Sequence, residues 1–252
     1  ASAPAPGTGR PFIPGITTFT PAQTQSSTNW AGYAATGGKY TSVSASWVQP
    51  TVQCTANGIV AFWVGLDGWG SSSVEQDGTA ADCSTGTPSY YAWWETYPQN
   101  AMQDYADAVA PGDALTSTVT SLGSGMYELD LDDTTKGWSE HHKVSAPGAV
   151  DASAEIIAEA VSEGDAVSAL PDFDAVNFTG SRVDKAAPQQ AGAQPIDMTG
   201  TSGAIVAATG AIDQAGDFAV AYQNTSGLLR VGVQPAGFGG GRHGRAAPRP
   251  IF

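Results

Sequence analysis

The segment Asp151-Ala-Ser-Ala-Glu-Ile-Ile-Ala-Glu-Ala160 decides the fold. By intrinsic propensity, rich in Ala and Glu, it is the best helix in the chain. As a helix it would bring Glu155 and Glu159 together at i and i+4, a destabilising pair of like charges. As a strand it would put Glu155, Ile157 and Glu159 on one face, with the carboxylates ~13 Å apart at ~3.3 Å per residue. Propensity favours the helix; the surrounding sequence favours the strand.

Outward from this segment the period is 2. Val43, Ala45 and Trp47 alternate with Ser42, Ser44 and Ser46. Tyr127, Leu129 and Leu131 alternate with Glu128, Asp130 and Asp132, and Phe218, Val220 and Tyr222 alternate with small residues. Ile59–Leu66, Ser89–Thr96, Ala114–Thr120, Ala175–Thr179 and Ala204–Thr209 are further strand-like runs. Clusters such as Ala110-Pro-Gly-Asp113 and Gly123-Ser-Gly125 separate them. Many short strands between turn signals predict an all-β sandwich or barrel.

Three parts are expected. Residues 1–28, rich in Pro, Ala, Thr, Ser and Gln, read as an extended arm or the remnant of a pro-segment. Residues 29–236 form the domain. Residues 237–252, with Arg242, Arg245 and Arg249 among glycines and prolines, read as a flexible tail.

The 252 residues suit one large domain or two small ones. Only 13% of residues are charged, so the surface must be built from Ser, Thr, Gln, Asn and Gly. With 24 acids against 10 bases, a net charge of −14, the chain is no nucleic-acid binder. No apolar run is long enough to span a membrane. The isoelectric point near 4.2 suits a protein that works in acid, and equally an ordinary acidic secreted protein.

Cys54 and Cys83 are too few for a metal cluster and lack zinc spacing. They read as one disulfide clamping the loop that carries Gln76, which implies an oxidising compartment; two buried thiols are the alternative. The absence of a signal peptide makes the chain read as a processed form. His141 and His142, adjacent on a strand, point to opposite faces and cannot easily chelate one metal. No third histidine inside the domain completes a serine or cysteine triad, and no glycine-rich phosphate loop is present. Neither metal nor cofactor is expected.

Carboxylates, amides and aromatics remain. Trp63-Val-Gly-Leu-Asp-Gly68 reads as a strand entering a turn, with Gln76 following in Ser71-Ser-Ser-Val-Glu-Gln-Asp-Gly78. Tyr90-Tyr-Ala-Trp-Trp-Glu-Thr-Tyr-Pro98 sets five aromatics around Glu95. Such clusters are often plain core. On a strand, however, Tyr91, Trp93 and Glu95 share one face, as in a substrate groove.

With these motifs the sequence resembles the eqolisins, the glutamic peptidases, especially their bacterial members. The resemblance runs from Asn29-Trp-Ala-Gly-Tyr33 to about Tyr222. It also rests on Trp47-Val-Gln-Pro50, Val74-Glu-Gln76, Ser153-Ala-Glu-Ile-Ile-Ala-Glu159 and Pro171-Asp-Phe-Asp-Ala-Val-Asn-Phe-Thr179. It implies an antiparallel two-sheet β-sandwich of jelly-roll, concanavalin-like form, and hence a strand over Ser153–Ala160. It implies a Gln–Glu dyad, Gln76 and Glu159, with Glu155 outside it. Trp63, Asp67, Trp93 and Glu95 match positions that line the family's cleft, as does Tyr91, where fungal members have an acid. Fungal members also carry a Trp at the place of Ile156.

The implied activity is that of a secreted acid endopeptidase acting on polypeptides, a monomer that pepstatin does not inhibit. Glu159, with an ordinary pKa near 4.3, would take a proton from the attacking water and return it to the leaving amine. The Gln76 amide would hold the oxyanion at any pH. Two other readings are a lectin-like sandwich that stacks sugars on its tryptophans, and a glycosidase pairing Glu95 with Glu159.

Overall fold

The computed structural model describes residues 24–163 and 166–224. The strands are β1 (Gln25–Ser27), β2 (Trp30–Thr36), β3 (Ser42–Val48), β4 (Ile59–Asp67), β5 (Val74–Asp82) and β6 (Ser89–Tyr97). They continue as β7 (Asn100–Ala108), β8 (Ala114–Gly123), β9 (Met126–Asp133), β10 (Trp138–Ser145) and β11 (Ser153–Ala160). The last are β12 (Ser162–Glu163), β13 (Ala166–Val167), β14 (Ala175–Val183), β15 (Gln194–Thr199), β16 (Ile205–Thr209) and β17 (Phe218–Tyr222). One short 3-10 turn, Pro188–Ala191, is the helical element among the described residues.

Fifteen strands form one sheet in the order β10-β9-β8-β3-β14-β17-β16-β15-β2-β11-β4-β5-β6-β7, with β1 parallel to β15 and the other pairs antiparallel. The sheet folds over, so that β4 and β5 lie against β8 and β9. The architecture is all-β and sandwich-like. Between the halves sits the main core, including Phe62, Val64, Leu66, Leu129, Leu131, Ile156 and Phe178. The period-2 pattern of β9 explains its half: Tyr127, Leu129 and Leu131 are buried while Glu128, Asp130 and Asp132 keep partial contact with water.

The disputed segment is strand β11, buried along its whole length. It pairs on both sides, with β2 (Ile156↔Tyr33) and β4 (Ile156↔Val64). Two-sided pairing satisfies its backbone groups, and burial of both faces outweighs helix propensity. Close approach to β2 needs a glycine: Gly32 has φ 144°, and a Cβ there would lie 2.1 Å from the Ile156 carbonyl oxygen.

The expected arm differs at its end, since Gln25–Ser27 joins the sheet against Ile196–Met198. Residues 1–23 and the expected tail, 237–252, lie outside the described residues. Cys54 and Cys83 form the disulfide. It ties the chain before β4 to the end of β5, where Cys83 N also donates to Gly58 O at 2.9 Å. Gln76 lies inside the segment that this bond closes, on β5 towards the end of that strand away from Cys83.

Candidate active site

The other face of the β2-β11-β4-β5-β6 region carries a second apolar cluster: Trp30, Ala34, Ala61, Trp63, Ala80, Trp93, Ile157 and Ile196. Across β11, β4, β5 and β6 this face is a grid set by register. One row is Glu155, Gly65, Gln76 and Glu95. The next is Ile157, Trp63, Gly78 and Trp93. The third is Glu159, Ala61, Ala80 and Tyr91. Six residues singled out in the sequence, Gln76, Glu159, Trp63, Trp93, Glu95 and Tyr91, thus share one face of four adjacent strands.

Small residues make room between the large ones. A Cβ on Gly78 would lie 2.7 Å from the Trp63 Cβ and 2.2 Å from Phe62 O, and one on Gly65 would meet the Trp63 ring at 2.9 Å. Trp30 meets Trp63 edge-on at 4.9 Å, and Trp69 lies over Trp30 at 5.9 Å.

Glu159 is 5% exposed. Its Oε2 accepts from Trp63 Nε1 at 2.8 Å and its Oε1 from Asn29 Nδ2 at 3.2 Å. Burial pushes its pKa up to about 8, against the pull of the Trp30, Trp63 and Asn29 donors, and the charge of Glu95 adds to the rise. This corrects the expectation of an ordinary carboxylate: in moderate acid the free site holds Glu159 as a neutral carboxyl.

Gln76 is buried, and its Nε2 donates to Glu95 Oε2 at 2.7 Å. Burial raises the Glu95 pKa, opposed by the Gln76 donor and a backbone contact at Met102. Gln76 and Glu159 share no hydrogen bond; they lie two strands and two rows apart, with Glu95 acting on both. Burial also raises the hydroxyl of Tyr91, helped by Asp82 and Asp104. Glu155 is wholly buried and its carboxyl is raised well above the ordinary range, by burial first.

Asp67 has a different task. At the end of β4, with φ 65°, it is fully buried, and its carboxylate accepts from the backbone N–H groups of Val150, Asp151 and Ala152 at 2.7, 2.9 and 2.7 Å. It therefore anchors the chain entering β11. Sequence reasoning gives Asn29 and Trp30 no role, yet both act on Glu159. It also passed over Glu75 and Asp77, which flank Gln76 and point into the main core. Alternation along β5 was the signal for that placement.

His141 Nδ1 lies 2.8 Å from Asp130 Oδ1, while the His142 ring stacks on Trp94 at 4.0 Å, so the pair does diverge. Among the described residues, no three His, Cys, Asp or Glu are grouped to hold a metal ion. A cavity of about 470 Å³ lies elsewhere, on the outer side of β3, β8 and β14, and contains none of the grid residues.

Comparison with known proteins places this arrangement. Aspergillopepsin-2 of Aspergillus niger is 29% identical over 178 residues, 61% of this chain and 63% of that protein. A scytalido-glutamic peptidase solved with a transition-state analogue superposes with a TM-score of 0.69 at 23% identity, covering 78% of this chain and 98% of that one. SCP-B, an eqolisin solved with the tripeptide Ala-Ile-His, gives a TM-score of 0.65 at 21% identity, covering the same shares. Aspergilloglutamic peptidase from Aspergillus niger gives 0.58 at 26% identity, over 66% of this chain and 99% of that one. The sequence profile of the Peptidase A4 family matches residues 28–222, and the chain belongs to that family.

Proposed function

We propose that this chain is a secreted, monomeric acid endopeptidase with Gln76 and Glu159 as its catalytic dyad, on a two-sheet jelly-roll scaffold. Family membership supports peptide hydrolysis. The disulfide supports an oxidising compartment. The observation that carries the site assignment is Glu159 itself: a carboxyl on the aromatic floor, held by donors on both oxygens, on the same face as the Gln76 amide.

The raised pKa sets the form of the chemistry. In acid, the neutral carboxyl of Glu159 donates its proton to the scissile carbonyl oxygen. Its other oxygen takes a proton from the water that attacks the carbonyl carbon. The product is a neutral gem-diol, and the carboxyl again holds one proton. That proton passes to the amide nitrogen as the C–N bond breaks, and a diol hydroxyl returns one to the carboxyl. Gln76 Nε2 has two hydrogens: one is held by Glu95, and the second is the donor to the developing oxygen charge. Acid–base transfer supplies roughly 10²–10⁴-fold and one oxyanion donor roughly 10²–10³-fold.

The lectin-like reading has no support on this face, because Trp30, Trp63 and Trp93 are at most 1% exposed and present no platform for a sugar. The peptidase reading is tested by incubating the protein with a denatured polypeptide at pH 3 and pH 7, with and without pepstatin. Cleavage at pH 3 that survives pepstatin is expected, since no pair of aspartates shares the catalytic proton. An inert protein at pH 3, or one silenced by pepstatin, refutes it.

A further inference from the structure

Glu159 is not alone at the end of β11. The turn Ser27–Trp30, between β1 and β2, runs beside it, and Ala160 N donates to Asn29 O at 2.8 Å. Ser27 and Asn29 are buried, at 9% and 3% exposure, although the segment is polar. Buried polar side chains of this kind need partners, and each partner here has a direction.

An Asn side chain can present either its oxygen or its nitrogen to a neighbour. Ser27 removes that freedom. Its Oγ accepts from the backbone N–H groups of Asn29 at 3.3 Å and Trp30 at 3.1 Å. Both acceptor positions are filled, so the hydroxyl hydrogen is left to donate to Asn29 Oδ1, at 3.0 Å. With its oxygen engaged there, the amide must turn Nδ2 toward Glu159 Oε1. Ser27 is held in turn by the sheet, through its pairing with Met198 and through Thr199 Oγ1, which donates to Ser27 O at 3.2 Å.

We infer that Asn29, locked by Ser27, is a positioning residue for the Glu159 carboxyl. It fixes the plane of the group and gives Oε1 a permanent donor, as Trp63 does for Oε2. This rests on the reading of Glu159 as the catalytic carboxyl. The consequence is electrostatic as well as geometric. A donor to a carboxylate favours its charged form, so Asn29 opposes the burial that drives Glu159 toward neutrality. Among the groups facing Glu159, Trp30 on β2 and Trp63 on β4 are neutral donors. Glu95 on β6 is the charged group that acts on it. Tyr91 on β6 shares its row, Asp82 lies further along β5, and Glu155 and Asp67 lie beyond the Trp63 row.

The test compares wild type, Asn29→Ala, Asn29→Asp, Ser27→Ala, Ser27→Thr and Glu159→Gln, each checked by circular dichroism. Two measurements are made: the pH profile of kcat and KM on one peptide, and direct NMR titration of the Glu159 carboxyl. The titration needs no turnover, so an inactive variant still reports.

Asn29→Ala should move the Glu159 titration, and the matching limb of the kcat profile, up by about one pH unit. Its kcat should fall with KM little changed. Ser27→Ala should give a smaller shift of the same sign, because the freed amide now spends time with its oxygen toward Glu159. Ser27→Thr keeps the hydroxyl and should restore the wild-type position. Asn29→Asp sets a second carboxyl against Glu159 and should split the titration into two separated steps. A folded Asn29→Ala protein with Glu159 titrating at its wild-type pH, while Glu159→Gln is inactive, overturns the positioning role and leaves the dyad standing. Near wild-type turnover by Glu159→Gln overturns the dyad reading, and the inference with it.

Discussion

Gln76 and Glu95 face each other directly across β5 and β6, and the amide of the first donates to the carboxylate of the second at 2.7 Å. This cross-strand pair holds the candidate oxyanion donor while its partner's charge reaches Glu159. One carboxylate thus orients one half of the proposed dyad and biases the proton of the other. Because Glu95 raises the Glu159 pKa, Glu95→Gln should lower it, the opposite sign to the loss of Asn29. Titration of the two variants side by side checks this, and a Glu159 titration unmoved in Glu95→Gln would refute the coupling.

The proposed dyad predicts unequal costs. Glu159→Gln keeps the shape of the neutral carboxyl but has no acid proton to cycle, and should cost on the order of 10³-fold in kcat. Gln76→Ala should cost on the order of 10²–10³-fold. Glu155 is held neutral by burial, so Glu155→Gln is close to an isostere and should cost far less. Purified variants assayed on one peptide at pH 4 decide the order. A dead Glu155→Gln beside an active Glu159→Gln would move the dyad.

Stability should decline with rising pH. Glu75 points into the main core, and burial pushes its pKa up to about 10, with the charges of Asp67 and Asp151 adding to it. Folded, it keeps its proton to high pH; unfolded, it loses it near 4.5. The native state therefore has this advantage in full below about pH 4.5, and loses it progressively as pH rises toward 10. Asp77, fully buried on the same face, adds a contribution of the same sign. The Tm should be higher at pH 4 than at pH 8, and Glu75→Gln should narrow the gap. An equal gap in that variant counts against Glu75.

Asp67→Ala should strip three backbone N–H groups of their acceptor and loosen the entry to β11. These donors are only part-buried, so water recovers some of the ~1–3 kcal/mol that each would cost if left unpaired in the interior. Hydrogen exchange at Val150, Asp151 and Ala152 should quicken, with a lower Tm. Unchanged exchange there would show that Asp67 is not the anchor.

Removing the disulfide with Cys54→Ser and Cys83→Ser together opens a loop of sequence separation 29. Loop entropy puts the loss at about 3 kcal/mol. Denaturant unfolding of the double variant measures it. Activity at pH 4 should survive in the folded fraction, because Gln76 sits towards the other end of β5 from Cys83.

Local patterning determined a good deal by itself. Alternation in Ser42–Val48, Met126–Asp133 and Phe218–Tyr222 marks strands because each buries one face of the folded sheet. The same period puts Tyr91, Trp93 and Glu95 on one face from the sequence alone. Two central strands were beyond local reading. Val74–Asp82 carries Glu, Gln, Asp and Gly, which disfavour strands, and Ser153–Ala160 favours a helix. Both form because neighbours pair with them on each side, a contribution that no local window contains. The same holds for the chemistry. That Asp67 anchors a backbone turn, that Ser27 orients Asn29, and that Glu159 keeps its proton in acid all depend on groups distant in sequence. Desolvation and hydrogen-bond direction belong to the assembled environment, and only the tertiary structure supplies it.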